Sequence, residues 1–124
     1  MGDFTFVRID HVQLALPPGG EATAVAFYEG VLGLVQVPKP EPMASRGGAW
    51  FRAGEVFLHL GVEADFRPAH KAHPALVVDD IDALAAHLRE AGCEVRWSDD
   101  LPDRRQLYTD DPFGNRIEIV TAAP

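Results

Sequence analysis

The chain has 124 residues, 47% of them hydrophobic and 24% charged, which is enough to bury one core and excludes disordered, collagenous and low-complexity classes. Eleven basic against nineteen acidic residues give a net charge of −8, so the cationic footprint of a nucleic-acid binder is missing and an anionic membrane surface would repel the chain. No apolar run reaches spanning length, the N-terminus has no leader pattern, and the lone Cys93 closes no internal disulfide, so a cytoplasmic protein is expected.

Arg8–Leu16 (RIDHVQLAL) is rich in β-branched and apolar residues and stops at Pro17-Pro18-Gly19-Gly20, predicting a strand ended by a loop. Glu21–Leu32 carries a helical stripe at Ala22, Val25, Ala26, Tyr28, Val31 and Leu32, with Gly33 just past its end and Gly30 weakening its last turn. Leu34–Val37 is a short strand closed by Pro38, Pro40 and Pro42. Gly48–Arg52 and Val56–Val62 read as strands joined in a hairpin at Ala53-Gly54. His73–Val78 is the next strand. Asp79 or Asp80 then N-caps a helix with interior Ile81, Leu84, Ala85, Leu88 and Ala91, closed by Gly92. Glu94–Trp97, Gln106–Thr109 and Arg116–Thr121 complete the strands, the last following the turn cluster Asp110–Asn115.

Each half therefore reads strand, helix, three strands. The prediction is an α+β chain of two tandem βαβββ modules, about residues 7–62 and 71–121, in one domain spanning residues 1–124. A module this short buries too little surface alone, so the halves are expected to pack together with their sheets around a shared cleft.

Four side chains of metal-binding type fall at matching places. His11 and His73 open the two modules, 62 positions apart; His59 and Glu118 lie in their last strands, 59 apart. Strand alternation puts His11 with Gln13, His59 with Phe57, and Glu118 with Arg116 on shared faces. If those faces meet, three imidazoles and a carboxylate converge, a ligand set for a divalent transition metal: iron, manganese, nickel, zinc or cobalt. Any one of these residues taken alone is more often explained by packing or solvent exposure. Trp50, Phe57, Tyr108 and Phe113 are candidates to line the cleft, and Arg52, on the face of Trp50, to hold an acidic group. His70, His87 and Cys93 read as structural. No nucleophile-elbow serine, phosphate loop or dinucleotide fingerprint occurs.

FYEGVLGL (Phe27–Leu34), His11-Val12-Gln13-Leu14, VDDIDAL (Val78–Leu84) and DPFGNRIEIV (Asp111 to Val120) resemble the vicinal oxygen chelate superfamily, which includes glyoxalase I, bleomycin-resistance proteins, extradiol dioxygenases, fosfomycin-resistance thiol transferases and methylmalonyl-CoA epimerase. The resemblance spans about residues 7–121 and implies paired βαβββ modules forming a cupped mixed sheet around a metal. It maps ligand positions onto His11, His73 and Glu118, with His59 at the fourth. Glyoxalase I enzymes commonly carry Glu at that fourth place, so the resemblance departs from methylglyoxal isomerisation. The chain is also shorter than two-domain dioxygenases, and the phosphonate and potassium ligands of fosfomycin enzymes are not found in it.

Two functions stand on this basis. One is a metal-dependent enzyme that chelates a small substrate through neighbouring oxygens, with Glu118 as the proton-moving group and isomerisation, epimerisation, lyase, dioxygenase and thiol-transfer chemistry all open. The other is a binding protein of the bleomycin-resistance kind that sequesters a small, cationic molecule. The resemblance also implies a homodimer, and some relatives exchange modules between subunits, so the site is built from one chain or from two.

Overall fold

In the computed structural model, which describes residues 2–124, the expected repeat is present. Module one runs β1 (Val12–Leu16), α1 (Glu21–Tyr28), β2 (Val35–Val37), β3 (Ala49–Ala53) and β4 (Val56–Val62). Module two runs β5 (Ala75–Val77), α2 (Ile81–Glu90), β6 (Arg96–Ser98), β7 (Gln106–Asp110) and β8 (Arg116–Val120). Each module folds into a four-stranded mixed sheet, β1-β4-β3-β2 and β5-β8-β7-β6, with one parallel pair next to two antiparallel ones. The fold is therefore α+β, as the sequence predicts. None of the described helices is long and apolar enough to cross a membrane.

Alternation sorts each sheet into two faces. Leu14, Leu16, Ala49, Phe51, Leu58 and Leu60 from the first sheet, and Leu107, Ile117 and Ile119 from the second, turn inward. With α1 and α2 they form one continuous buried cluster. Each large aliphatic side chain buried there contributes about 1.5–3 kcal/mol from removal of its surface from water. α2 begins where Asp80 accepts the Ala83 N–H at 3.0 Å, the cap read from the sequence.

A polar tie fastens module one to the turn before β8. Tyr28 donates its hydroxyl proton to Asp111 Oδ2 at 2.7 Å, and Asn115 donates from Nδ2 to the Ala15 carbonyl at 2.8 Å. Asp111 also accepts from the backbone N–H groups of Phe113 and Asn115. All three side chains are buried, and burial beside the Asp111 carboxylate drives the Tyr28 phenol well above the usual range.

Several strand ends differ from the sequence reading by one or two residues, among them β5, which starts at Ala75 and leaves His73 just ahead of it, and three differences are larger. The first strand starts at Val12 rather than Arg8: its ladder with β4 begins at Val12 and Leu58, and residues 2–11 pair with no strand. Helix α1 stops at Tyr28 rather than Leu32. A Cβ at Gly30 would sit 2.4 Å from the Ala26 carbonyl oxygen, and the chain unwinds through wide turns in which Leu34 N–H reaches the Tyr28 carbonyl. A 3₁₀ turn at Met43–Arg46 follows the prolines that close β2.

Candidate functional site

The inward faces leave two outward ones, and these hold the residues of chemical interest. In the first sheet, register pairs Gln13 with His59, and His59 with Trp50. His11, two residues before Gln13, projects on the same side. The His59 ring is stacked between His11 and Trp50, with centroids 4.0 Å away on each side and interplanar angles of 17° and 6°. Burial first, and the neighbouring His11 next, pull the His59 pKa below its ordinary value, so this imidazole is neutral. His11 Nδ1 lies 3.0 Å from Asp10 Oδ2, leaving Nε2 available. These residues, with Gln13, Phe57, Arg52 and Val37, line a hollow of about 500 Å³. Arg52 is exposed, lies over the Phe57 ring at 5.0 Å and donates from Nε to the Gly54 carbonyl.

In the second sheet, Ala75 pairs with Glu118, and Glu118 with Tyr108. His73, two residues before Ala75, brings Nε2 to 2.9 Å from Glu118 Oε1, while its Nδ1 lies 2.6 Å from the Lys71 carbonyl oxygen. Glu118 Oε2 accepts from Gln106 Nε2 at 2.9 Å, and the same amide donates to the Tyr108 hydroxyl at 3.2 Å. Gln106 is buried, and its Oε1 has no partner. Tyr108 touches the His73 ring edge-on at 5.6 Å. Burial first, and Glu118 next, raise its phenol pKa.

The internal repeat is thus a repeat of site positions. His11 corresponds to His73, Gln13 to Ala75, Trp50 to Tyr108 and His59 to Glu118, each pair at the same register. The structure brings His11 to His59 and His73 to Glu118, but on two different faces. Among the described residues no three His, Cys, Asp or Glu side chains gather closely enough for one metal ion. Convergence of all four, expected from the pseudo-symmetry, does not occur within one chain. The inward faces of both modules contribute to one core, and the two candidate pairs stand on separate sheets. Phe113 lies over Gly20 and beside Phe66, packed on the core.

The residues nevertheless bear on a metal. A neutral imidazole carries one N–H, yet both His73 nitrogens face oxygen acceptors. A proton on Nδ1 satisfies Lys71 and leaves Nε2 and Glu118 Oε1 as two electron-rich atoms side by side. A cation fits there as well as an extra proton does. The Lys71 carbonyl and Gln106 amide are the outer partners that fix ligand tautomer and carboxylate direction in metal sites. His59 fits less well. Nitrogen lone pairs lie in the ring plane, so parallel stacked rings do not aim at a common ion at bonding distance, and His59 joins His11 on one ion only if a ring leaves the stack. Gln106 and Arg116 were not assigned roles from sequence, although alternation places them on the faces of Tyr108 and Glu118.

Comparison with known proteins agrees with this architecture. Residues 8–119 match the family model of the Glyoxalase/Bleomycin resistance protein/Dioxygenase superfamily. A Bacillus anthracis protein described as a glyoxalase family member is 45% identical over 98% of both chains, with a TM-score of 0.93. Lactoylglutathione lyase of Agrobacterium tumefaciens is 21% identical, with 89% of this chain and 91% of that one covered and a TM-score of 0.68. The fosfomycin resistance protein FosX of Mesorhizobium loti is 17% identical, covering 96% and 95%, with a TM-score of 0.68. The latter two share the fold. No curated protein matches the sequence significantly. With its family model matched over nearly its whole length and its repeated modules in place, the chain belongs to the glyoxalase/bleomycin resistance protein/dioxygenase superfamily.

Proposed function

We propose that the chain is a metal-dependent enzyme acting on a small molecule bound through two neighbouring oxygens, and that it works as a homodimer. The observation that carries this reading is the His73 ring, which has an oxygen at each nitrogen: the Lys71 carbonyl at Nδ1 and, 2.9 Å from Nε2, the Glu118 carboxylate that Gln106 orients. His73, Glu118 and His11 are the proposed ligands. His59 holds His11 in its stack, and it ligates as well if it swings free. A divalent transition metal bound there would supply Lewis acidity toward a chelated substrate. Glu118 would move a proton, Trp50 and Phe57 would cover the apolar part of the substrate, and Tyr108 would meet a polar group.

The two-chain arrangement follows from the half-sets. Each open face holds two of the four residues, so a second copy that sets its module two against module one of the first completes the set twice. The N-terminal stretch gives such a dimer an apolar contact. Phe4, Phe6, Val7 and Ile9 are 74–91% exposed, a run of bare apolar side chains of the kind that marks an interface.

The test is titration of chelator-treated protein with Mn²⁺, Fe²⁺, Co²⁺, Ni²⁺ and Zn²⁺, with the ion recovered from untreated protein identified by plasma mass spectrometry. The expected result is one ion per chain, lost in Glu118→Gln and His73→Ala. If no ion binds, or Glu118→Gln binds as well as the parent, the reading fails. Tight binding of a cationic drug by metal-free protein, unchanged in Glu118→Gln, would favour a sequestering protein in its place.

A further inference from the structure

Arg116 is the cation on the module-two face that the protein itself leaves unanswered. It lies two residues before Glu118 on β8, so both side chains rise from the same side of the sheet. Directly across the ladder is Asp110, the carboxylate that would ordinarily neutralise it. Asp110 is already taken: Arg96 grips both its oxygens, at 2.9 and 3.0 Å. Among the described residues Arg116 has no side-chain hydrogen bond or ion pair. Its guanidinium lies instead over the Tyr108 ring at 4.9 Å.

Its position over the ring leaves the guanidinium N–H groups without a partner among the described residues, and arginine uses that fork of donors to grip a two-oxygen anion. Tyr108 links this arginine to the rest of the site, since the same ring meets His73 edge-on and its hydroxyl takes a hydrogen bond from Gln106. The half-buried cation, the polar hydroxyl and the Glu118 carboxylate form one continuous strip. The corresponding register position in module one is Phe57, and the cation over that ring, Arg52, is exposed and donates to the Gly54 carbonyl.

Resting on the metal-site reading above, we propose that Arg116 is the specificity-determining residue that anchors a substrate oxyanion, a carboxylate or a phosphate-type group, beside the His73–Glu118 pair. The experiment is an amide and guanidinium NMR titration of the dimer at low ionic strength with propionate, inorganic phosphate and, as an uncharged control, 1,2-propanediol. One of the two anions should saturate with shifts centred on β7 and β8, and the anion that does so identifies the class. Arg116→Gln should weaken that anion by about tenfold or more. Arg89→Gln, which removes an equal charge from the exposed face of α2, should leave it unchanged. The proposal is overturned if neither anion titrates, if Arg116→Gln with an intact spectrum binds as well as the parent, or if Arg89→Gln weakens binding equally. Metal uptake on the same samples separates the two readings. Arg116-dependent anion binding without uptake of Mn²⁺ or of any of the other four ions leaves this inference standing and sinks the metal, whereas metal uptake without anion binding does the reverse.

Discussion

Two inactive variants of the chain should restore each other when mixed, and the size of the recovery follows from how the sheets divide the ligands. His11 stands on the module-one sheet, while His73 and Glu118 stand together on the module-two sheet. In the proposed dimer every site takes His11 from one subunit and the pair from the other. His11→Ala and Glu118→Gln homodimers then carry one lesion in each site. In a dimer of one variant with the other, both lesions fall in one site and the second is intact. Free mixing yields about half mixed dimers, so about a quarter of all sites, and about half of those in purified mixed dimers, should bind metal. The assay is co-expression with two affinity tags, sequential purification and metal counting by plasma mass spectrometry. His73→Ala with Glu118→Gln is the built-in control. Those two residues come from one subunit, so each site in their mixed dimer keeps a lesion and recovery should be near zero. Absence of metal from the His11→Ala/Glu118→Gln mixed dimer, with both parents folded and dimeric, would refute a site shared in this way.

Two further predictions concern the scaffold. Tyr28→Phe removes a hydrogen bond to the Asp111 carboxylate and should cost about 1.5–3 kcal/mol in urea unfolding at neutral pH. The Tyr28 phenol is raised in the folded state. Above the unfolded value of about 10 the unfolded chain sheds a proton that the folded chain keeps, so stability falls as pH rises, by up to about 1.4 kcal/mol per unit. The parent should show this slope between roughly pH 10 and 11, and Tyr28→Phe should lack that part of it; parallel curves would refute the buried neutral phenol. Gly48→Ala should lower the unfolding midpoint, because φ is +83° there and a Cβ would lie 2.2 Å from the Leu60 carbonyl oxygen. The left-handed backbone alone costs about 1–3 kcal/mol, and an unchanged midpoint would contradict the contact.

The sequence carried the repeat well because a repeat is local information. Val56–Val62 begins and ends where its composition says, the Ala53-Gly54 hairpin forms, and Asp80 caps α2. The same period of two sets the faces of His59 and Glu118 within their strands, and carried back past the strand ends it sets those of His11 and His73. What a period cannot carry is which face meets which. His11 and His73 are equivalent in sequence whether their modules turn toward each other or away, and only packing decides. In this chain Leu14, Phe51, Leu107 and Ile119 claim the meeting faces for the core. Arg116 was hidden for a related reason. Its freedom depends on Asp110 being occupied, and that depends on β6 bringing Arg96 opposite Tyr108, beside Asp110, a register fixed by a loop with no strong signal.

In the proposed dimer the differences at equivalent positions would let the two halves suit one ligand better than two copies of either half would. Trp50 and Phe57 give module one an aromatic wall, with Arg52 exposed at its edge over the Phe57 ring and His59 held below its ordinary pKa by burial. The matching places in module two hold Tyr108, Arg116 and Glu118, which give a wall of hydrogen-bonding and charged groups. Setting like against like would pair two aromatic walls, or two polar walls with Glu118 facing its own copy and each carboxylate raising the cost of ionising the other. Setting unlike against unlike spends the aromatic area on the ligand's apolar part and aims the polar groups at its reactive end, the usual division of labour in a small-molecule site. The sequence differences between the repeats thus argue, independently of the ligand count, for module one of each chain facing module two of another.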